Sequence, residues 1–221
     1  MARAQPDFKI FYRLFFCPPT LSVTGKKNHR NETYARLFHP VPSYQFHAWA
    51  VPKKRKSSFL EIDLSAIGDP EYLLDLLAVC QQIARDQGLN RYSIIVNGGD
   101  YQDVPQVHFH IAANDDDAHR EESTNLIEEN GDSPLDEPLH LFKPHSTRWA
   151  YHQIVQHERL VSGFRDLLFE VEQTQDCLIE LFEGAQKLLS IKPLAAFSVI
   201  LYVQPDQNKR VQLEIVSNMV A

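Results

Sequence analysis

Two histidines, at positions 108 and 110, are the residues of this chain whose type and spacing best suit chemistry. They lie in the stretch 106–113, where polar and apolar side chains alternate as they do along a half-buried β-strand. Successive side chains of a strand point to opposite faces, so His108 and His110 are expected to share one face with Gln106. Two neighbouring imidazoles could hold a metal ion, bind phosphate, or supply a nucleophile and its partner.

The surrounding pattern predicts the elements that position these histidines. Asp69 and Pro70 are typical of a helix start, with Asp69 as the N-cap, and Gly88 is typical of a helix end. Runs of strand-forming residues bounded by prolines, glycines and polar residues predict strands over 34–38, 46–51, 92–96 and 106–113. The first half is therefore expected to be a small sheet with one long helix, and the basic stretch 53–56 is expected to be a solvated loop.

The same order of elements recurs 104 to 105 residues later. Strand-like and helical runs correspond in series at 141–144, 151–152, 178–189, 197–201 and 211–215. This order predicts an internal duplication. The chemical positions are not kept in the second copy, because Gln212 replaces His108 and Glu214 replaces His110.

Length, charge and cysteine usage exclude several classes of protein. The 221 residues suffice for one large domain or two small ones, and the net charge of −7 argues against binding of extended nucleic acid. The three cysteines form no C-x-x-C pair, which fits a reducing compartment. The apolar run 10–17 contains Arg13 and is too short to span a bilayer, and no signal peptide is recognised. We therefore expect a cytoplasmic protein with no membrane partner.

The composition along the chain predicts its domain organisation. An N-terminal segment, 1–31, precedes a domain over 32–114 that carries the histidines. An acidic linker over 115–137 leads to a second, degenerate domain over 138–221. His145 and His157 have no supporting context and are expected at the surface.

Four linked motifs of the first half resemble the histidine-triad (HIT) superfamily. They occur in the family's order over about residues 33–113: His47 with its apolar run and Pro52-Lys53, Gly88-Leu89 at the helix end, Asn97-Gly98-Gly99 after a strand, and Gln102 to Ile111 with the two histidines. The repeated plan is similar to the galactose-1-phosphate uridylyltransferase and dinucleoside-tetraphosphate phosphorylase branch. The resemblance implies an α+β fold, in which a HIT-like antiparallel sheet with a long helix is duplicated as an intramolecular pseudo-dimer.

The resemblance also implies catalytic roles. His108 matches the nucleophile that attacks the α-phosphorus of a nucleotide derivative to give a nucleotidyl-histidine. His110 matches the histidine that supports the phosphate and the leaving group, and His47 matches the upstream histidine that orients the site. His152 repeats His47 in the second copy, which also allows a structural role for His47.

The phosphate-binding positions match only in part. Asn97 and Gln102 match polar positions of the family's phosphate pocket. Gln106 stands in place of the first histidine of the triad and could still donate to a phosphate or orient a ring. Asp103 replaces a serine and would repel a phosphate unless it hydrogen bonds elsewhere, and His39 stands near the acid that usually binds the ribose hydroxyls.

Three functions remain open on the sequence. The first is a phosphohydrolase or nucleotidyl transferase that acts on a nucleotide or nucleotide-like molecule without a cofactor, as a monomer with an internal pseudo-dimer or as a homodimer. The second is a non-catalytic HIT-like protein that binds a nucleotide or a partner. The third is a metal site built from His47, His108 and His110, since three imidazoles with an open position suit zinc.

Overall fold

A computed structural model describes the following residues of the chain: 29–30, 34–39, 42–114, 126–128, 133–145, 147–160, 164, 167, 169–204 and 210–218. Within this part, the first half contains strands β1 (His29–Arg30), β2 (Tyr34–Phe38), β3 (Phe46–Pro52), β4 (Tyr92–Gly99) and β5 (Phe109–Ala113), and helix α1 (Asp69–Asp86). The second half contains strands β6 (Leu126–Glu128), β7 (Leu139–Pro144), β8 (Tyr151–His157), β9 (Ala196–Val203) and β10 (Gln212–Ser217), and helix α2 (Glu172–Ile191). A short 3₁₀ helix covers Phe59–Glu61. In this part of the chain, no helix is long and apolar enough to cross a bilayer.

The strands form one antiparallel sheet whose order reads the same from both edges. The order is β1-β2-β3-β5-β4-β9-β10-β8-β7-β6, so each strand of the first half has a counterpart at the mirrored position. At the centre, Ile95 of β4 pairs with Ile200 of β9, its own counterpart 105 residues later. A pseudo-twofold axis therefore passes beside this pair. The predicted α+β pseudo-dimer is confirmed.

Both helices pack on one face of the sheet, where the apolar side chains of both halves meet in a single core. Val107, Phe109 and Ile111 are buried in this core, as the alternation predicted. Burial of such side chains is worth roughly 1.5–3 kcal/mol each and holds the strand in register. The opposite face carries polar and aromatic side chains together with a few aliphatic ones, and the candidate site is built there.

Helix α1 ends as predicted but begins differently. Gly88 adopts a positive φ of 65°, and the N–H groups of Gly88 and Leu89 donate to the carbonyls of Arg85 and Ala84. This is the Schellman pattern. The predicted N-cap is wrong, because Asp69 is already the first helical residue and makes no capping bond.

The carboxylate of Asp69 is buried and serves another purpose. It accepts hydrogen bonds from Lys54, at 3.0 Å, from Lys56, and from the backbone N–H of Asp63. Two ammonium groups bind this carboxylate because a charge that is buried on its own is costly. The basic stretch 53–56 is therefore partly tied to the helix start and is not entirely a solvated loop.

Two glutamines join the halves reciprocally. Gln81 of α1 donates to the carbonyls of Phe164 and Leu167 in the second half, at 2.9 and 3.2 Å. Gln186 of α2 donates to the corresponding carbonyls of the first half, those of Phe59 and Ile62, at 2.8 and 3.0 Å. Each helix thus satisfies backbone acceptors of the other half, which ties the two units together.

Three sequence expectations need correction or fall outside the described residues. Strand β5 begins at Phe109 and not at 106, so His108 lies just before the strand. Part of the expected linker, Leu126–Glu128, pairs with β7 as an edge strand. The apolar run 10–17 lies outside the described residues, and the domain boundaries remain a proposal.

Candidate functional site

A cleft of about 550 Å³ lies on the face of the sheet opposite the helices. Ile95 and Ile200, the pair on the pseudo-twofold axis, both line it, so both halves contribute to its walls. Its titratable and aromatic lining residues are His39, Tyr44, His47, Arg91, Tyr92, Asp100, Tyr101, Asp103, His110, Arg148, Trp149 and Tyr202. A cleft of this size falls in the range of small-molecule sites.

A glycine turn leads the chain from β4 into the loop that carries His108. Gly99 has a φ of 58°, and a Cβ at this residue would overlap the backbone of Ala195. A Cβ at Gly98 would overlap the ring of Phe197. The N–H of Asp100 then donates to the carbonyl of Ala195 at 2.9 Å. Both glycines are therefore required for the close approach of this turn to β9.

The ring of His108 is fixed by the backbone of its own loop. Its Nδ1 lies 2.8 Å from the carbonyl oxygen of Gln106, which can only accept, so Nδ1 carries the proton and donates. In the neutral ring, Nε2 then keeps its lone pair. The ring is buried and lies edge-on to Trp49, with 5.6 Å between the centroids.

A second network sets the tautomers of His47 and His110. The indole Nε1–H of Trp49 donates to Nδ1 of His110 at 3.1 Å, so this nitrogen is an acceptor. Nε2 of His47 lies 2.9 Å from the same atom and donates to it, while Nδ1 of His47 accepts from the N–H of Ser43 at 3.4 Å. His110 therefore carries its proton on Nε2. This buried donor has no partner among the described residues.

All three rings are neutral near pH 7. The pKa of His47 falls from 6.5 to about 3, first because of burial and then because of His39 and His108. Burial lowers the pKa of His108, although the hydrogen bond to the Gln106 carbonyl and, to a smaller extent, the charge of Asp103 oppose this shift. Burial, followed by the neighbouring histidines, holds the pKa of His110 well below its usual value. Neutral imidazoles are the form that acts as a nucleophile.

A histidine beyond the predicted set completes the cluster. The ring of His39 stacks on that of His47 with 4.0 Å between centroids and 8° between planes. The ligand atoms of His39, His47 and His110 lie within 4.8 Å of one another and could hold a metal ion. However, the rings of His39 and His47 are nearly parallel, so their lone pairs lie in parallel planes and do not converge on one ion. His47 is also already hydrogen bonded to His110. His108, predicted as a metal ligand, is not part of this cluster.

Solved structures share this architecture. A uridylyltransferase has a TM-score of 0.55 at 14% identity, covering 98% of this chain and 81% of its own. A yeast Ap4A phosphorylase in complex with AMP has a TM-score of 0.52 at 15% identity, covering 94% and 63%. An ADP-glucose phosphorylase from Arabidopsis thaliana with bound ADP-glucose has a TM-score of 0.55 at 10% identity, covering 86% and 73%. The chain has the tandem HIT-like fold. No family model and no curated protein matches the sequence.

Within this HIT-like fold the predicted catalytic residues are brought together. The rings of His108 and His110 are 4.8 Å apart between centroids, and His47 is hydrogen bonded to His110. Asn97 lines the cleft, where its Oδ1 accepts from the hydroxyl of Ser198 at 2.7 Å.

The two predicted glutamines are placed elsewhere. The amide of Gln102 donates to the carbonyls of Ser57 and Val104, at 2.6 and 2.7 Å. The amide of Gln106 donates to the carbonyl of Pro52 at 3.2 Å. Both side chains hold the loop, and Gln106 meets the site through its backbone oxygen.

Sequence reasoning missed Trp49, Arg148 and Trp149. Trp49 could have been found, because it lies two residues after His47 on a strand and so shares its face. Arg148 and Trp149 carried no such signal. They precede β8 in the second half and reach the cleft only because the sheet is continuous across the two halves.

His157 was expected at the surface, and this is wrong. Its side chain is fully buried, and Nε2 donates to the carboxylate of Glu180 at 2.6 Å. The guanidinium of Arg159 binds the same oxygen at 3.0 Å. His157, Cys177 and Glu180 place three potential ligand atoms within 4.8 Å of one another. However, the positive charge of Arg159 already neutralises the Glu180 carboxylate, which a metal cation would need as a ligand. The hydrogen bond between His157 and Glu180 links β8 to α2.

Proposed function

We propose that the chain is a nucleotide phosphohydrolase or nucleotidyl transferase in which His108 is the nucleophile. This proposal rests on two neighbouring nitrogens that differ in protonation, Nε2 of His108 and Nε2 of His110. His108 keeps a lone pair on Nε2, because Gln106 fixes the proton on Nδ1. The adjacent His110 keeps a proton on Nε2 that no described residue accepts. A nucleophile beside an unused donor is what attack on a phosphoryl group requires.

The covalent step follows from these protonation states. The lone pair of His108 Nε2 forms a bond to the α-phosphorus, and the bond from phosphorus to the leaving group breaks with its electron pair. The positive charge on the ring is stabilised by the bond from Nδ1–H to the carbonyl of Gln106. Water or another acceptor then forms a bond to phosphorus and gives up its proton to the solvent, and the electron pair of the P–N bond returns to Nε2.

Roles for the other residues follow from their contacts. His110 donates from Nε2 to a phosphoryl oxygen, and His47 with Trp49 keeps its tautomer fixed. Asn97 contacts the phosphate or ribose from β4, whereas Gln102 and Gln106 shape the loop. Complexes of the fold's neighbours with AMP and with ADP-glucose support a nucleotide as the ligand.

Detection of the nucleotidyl-histidine intermediate tests the proposal. Rapid acid-free quenching of the protein with a nucleoside phosphoramidate or a dinucleoside polyphosphate should add the mass of one nucleotidyl group to the peptide that contains His108. The adduct should be absent in His108→Ala and present in His145→Ala, which changes an exposed histidine outside the cleft. Turnover by His108→Ala at the wild-type rate would overturn the proposal.

One observation favours a non-catalytic alternative. Asp100 and Asp103 both line the cleft, and Asp103 is exposed and close enough to act on His108 electrostatically. Carboxylates repel the phosphate that a catalytic site must bind. If AMP or UMP stabilises the protein in thermal shift while no phosphoramidate or polyphosphate is turned over, the chain is a nucleotide-binding pseudoenzyme. If Asp103→Ser increases turnover, the carboxylate only moderates an active site.

A further inference from the structure

Backbone carbonyls of the segment 52–57, at the end of β3, support the loop 102–107 that leads to His108. Hydrogen bonds from the loop to this segment run from the amide of Gln102 to Ser57, from the amide of Gln106 to Pro52 and Lys54, and from the N–H of Val107 to Lys56. Their lengths are 2.6, 3.2, 3.4 and 2.8 Å in the same order. The path of the loop therefore depends on the position of the segment.

The loop reaches the nucleophile through Gln106. The side chain of Gln106 donates to the segment, while its backbone carbonyl accepts from Nδ1 of His108 at 2.8 Å. A shift of the segment would therefore displace the carbonyl that keeps the proton of His108 on Nδ1. Without that bond the proton would also occupy Nε2, and a neutral ring protonated there has no lone pair on the nitrogen that attacks phosphorus.

A buried carboxylate at the start of α1 in turn holds the segment. Asp69 is 4% exposed and accepts from the ammonium group of Lys54 at 3.0 Å and from that of Lys56. Lys56 is the more enclosed lysine, with 19% of its side chain exposed against 58% for Lys54. Ion pairs that are shielded from water are stronger than exposed ones. Each lysine thus binds Asp69 through its side chain and the loop through its backbone carbonyl.

The second half keeps the backbone contact but not the ion pair. The N–H of Val211 donates to the carbonyl of Leu160 at 3.3 Å, at the positions 104 residues after Val107 and Lys56. The uncharged residues at the positions 104 and 105 residues after Asp69 are Gln173 and Thr174. The fold therefore tolerates an apolar residue at the position of Lys56, and the ion pair is a feature of the first half.

We propose that Asp69 is a positioning residue for the nucleophile, and that it acts through Lys54 and Lys56 on the loop 102–107. The inference rests on the proposed function and adds to it a residue that does not line the cleft. Because the side chain of Asp69 does not meet the substrate there, its removal should slow the attack of His108 without weakening binding. A displacement of about 1 Å at a reacting group can cost about a hundredfold in rate.

Replacement of the carboxylate by a neutral group of the same shape tests the inference. Asp69→Asn should lower kcat for a nucleoside phosphoramidate or a dinucleoside polyphosphate by about tenfold to a hundredfold, with KM within about twofold. Asp75→Asn is the matched control, because it removes an exposed carboxylate from the same helix, and it should change neither constant.

A second variant separates the effect on catalysis from an effect on folding. Asp69→Asn alone leaves the largely enclosed Lys56 without its carboxylate, which can destabilise the protein. The double change Asp69→Asn with Lys56→Leu removes both charges and reproduces the apolar residue of the second half, Leu160. It should melt closer to the wild-type temperature and still show the loss of kcat. Wild-type kcat in this double variant would overturn the inference.

The tautomer of His108 gives a readout without turnover. NMR spectra of the histidine ring nitrogens distinguish a protonated nitrogen from one with a free lone pair, and the signals of His108 are those lost in His108→Ala. Wild-type protein and Asp75→Asn should show a protonated Nδ1 and an unprotonated Nε2. Asp69→Asn should show both tautomers of this ring. An unchanged spectrum of His108 in Asp69→Asn would contradict the positioning role.

These outcomes separate the inference from the proposed function. If Asp69→Asn lowers kcat no more than Asp75→Asn, or raises KM as strongly as it lowers kcat, the positioning role is wrong while the proposed function stands. If His108→Ala keeps full turnover, the proposed function fails, whereas the tautomer measurement still decides whether Asp69 holds the ring of His108.

Discussion

The two halves of the sheet contain similar hydrogen-bonded chains on corresponding strands, but the two chains end on different groups. In the first half a backbone N–H of Ser43 binds His47, which binds His110. In the second half Thr147 binds His152, which binds Glu214. The first chain ends on an imidazole with a proton that no described residue accepts, and the second ends on a carboxylate.

Under the proposed function, this difference separates a reactive arrangement from a structural one. Both end groups accept from the histidine before them, but an imidazole keeps a second nitrogen whose N–H can be presented to a ligand, whereas a carboxylate has no donor. The second half therefore keeps the geometry of a HIT-like unit without its reactive atoms. Its hydrogen-bonded chain from Glu214 through His152 to Thr147 instead holds the backbone of the segment that precedes β8.

The largest expected effect contrasts His108 with its counterpart Gln212. His108→Ala should lower kcat at least about a thousandfold, because it removes the atom that forms the covalent bond. Gln212→Ala should leave kcat within about twofold, since the side chain of Gln212 is hydrogen bonded to Gln156 and Glu214 in the second half. Steady-state kinetics with one nucleotide substrate measure both. Equal losses of kcat would mean that the two halves contribute equally to turnover, which would contradict the contrast between them.

The glycine turn is required in the first half alone. The positions 105 residues after Gly98 and Gly99 are Val203 and Gln204. Gly99→Ala should destabilise the protein by about 3 kcal/mol, because it adds strain at positive φ and an overlap with Ala195. Gly88→Ala is the matched control: its φ is 65°, but no atom lies within 4 Å of the added Cβ. It should cost only about 1 kcal/mol. Urea unfolding measures both, and equal losses would show that the approach to β9 is not tight.

The reciprocal glutamines test how strongly the halves depend on one another. Gln81→Leu and Gln186→Leu each leave two carbonyls of the other half without their donor, and each should cost about 1–3 kcal/mol. Gln81 is the more deeply buried of the two, so its loss should be the larger. A single unfolding transition in both variants would show that the sheet unfolds as one unit. Two separate transitions would show that the halves are independent.

Local periodicity was sufficient to predict most elements of the fold. The strand Tyr34–Phe38 was predicted with its observed bounds, and the helix end at Gly88 follows from its conformational freedom. The start of α1 was misplaced because Asp69 is an equally good N-cap and ion-pair partner. Only the buried position beside Lys54 and Lys56 decides between the two.

The site was predictable where one strand carries it and unpredictable where the sheet assembles it. The spacing of His108 and His110 in one alternating run of sequence identifies both, although His108 lies just before β5. Trp49 meets His110 across 61 residues of sequence, and Arg148 meets the cleft only through the continuous sheet. The amides of Gln102 and Gln106 are bound by loop carbonyls, a competition that sequence alone does not reveal.

The smallest expected effect is an acid sensitivity that belongs to the histidines of the first half. The folded-state pKa of His47 is about 3, against 6.5 for the free side chain, and that of His110 is also lowered. The unfolded chain therefore binds more protons below pH 6.5, and stability falls as the pH drops from about 6.5 toward the folded pKa. Each such histidine should cost about 0.7 kcal/mol between pH 7 and pH 6. His110→Asn should remove about that much of the pH dependence measured by urea unfolding. An unchanged slope would mean that His110 is exposed to solvent protons in the folded protein, which would contradict the buried, proton-fixed ring on which the comparison of the halves depends.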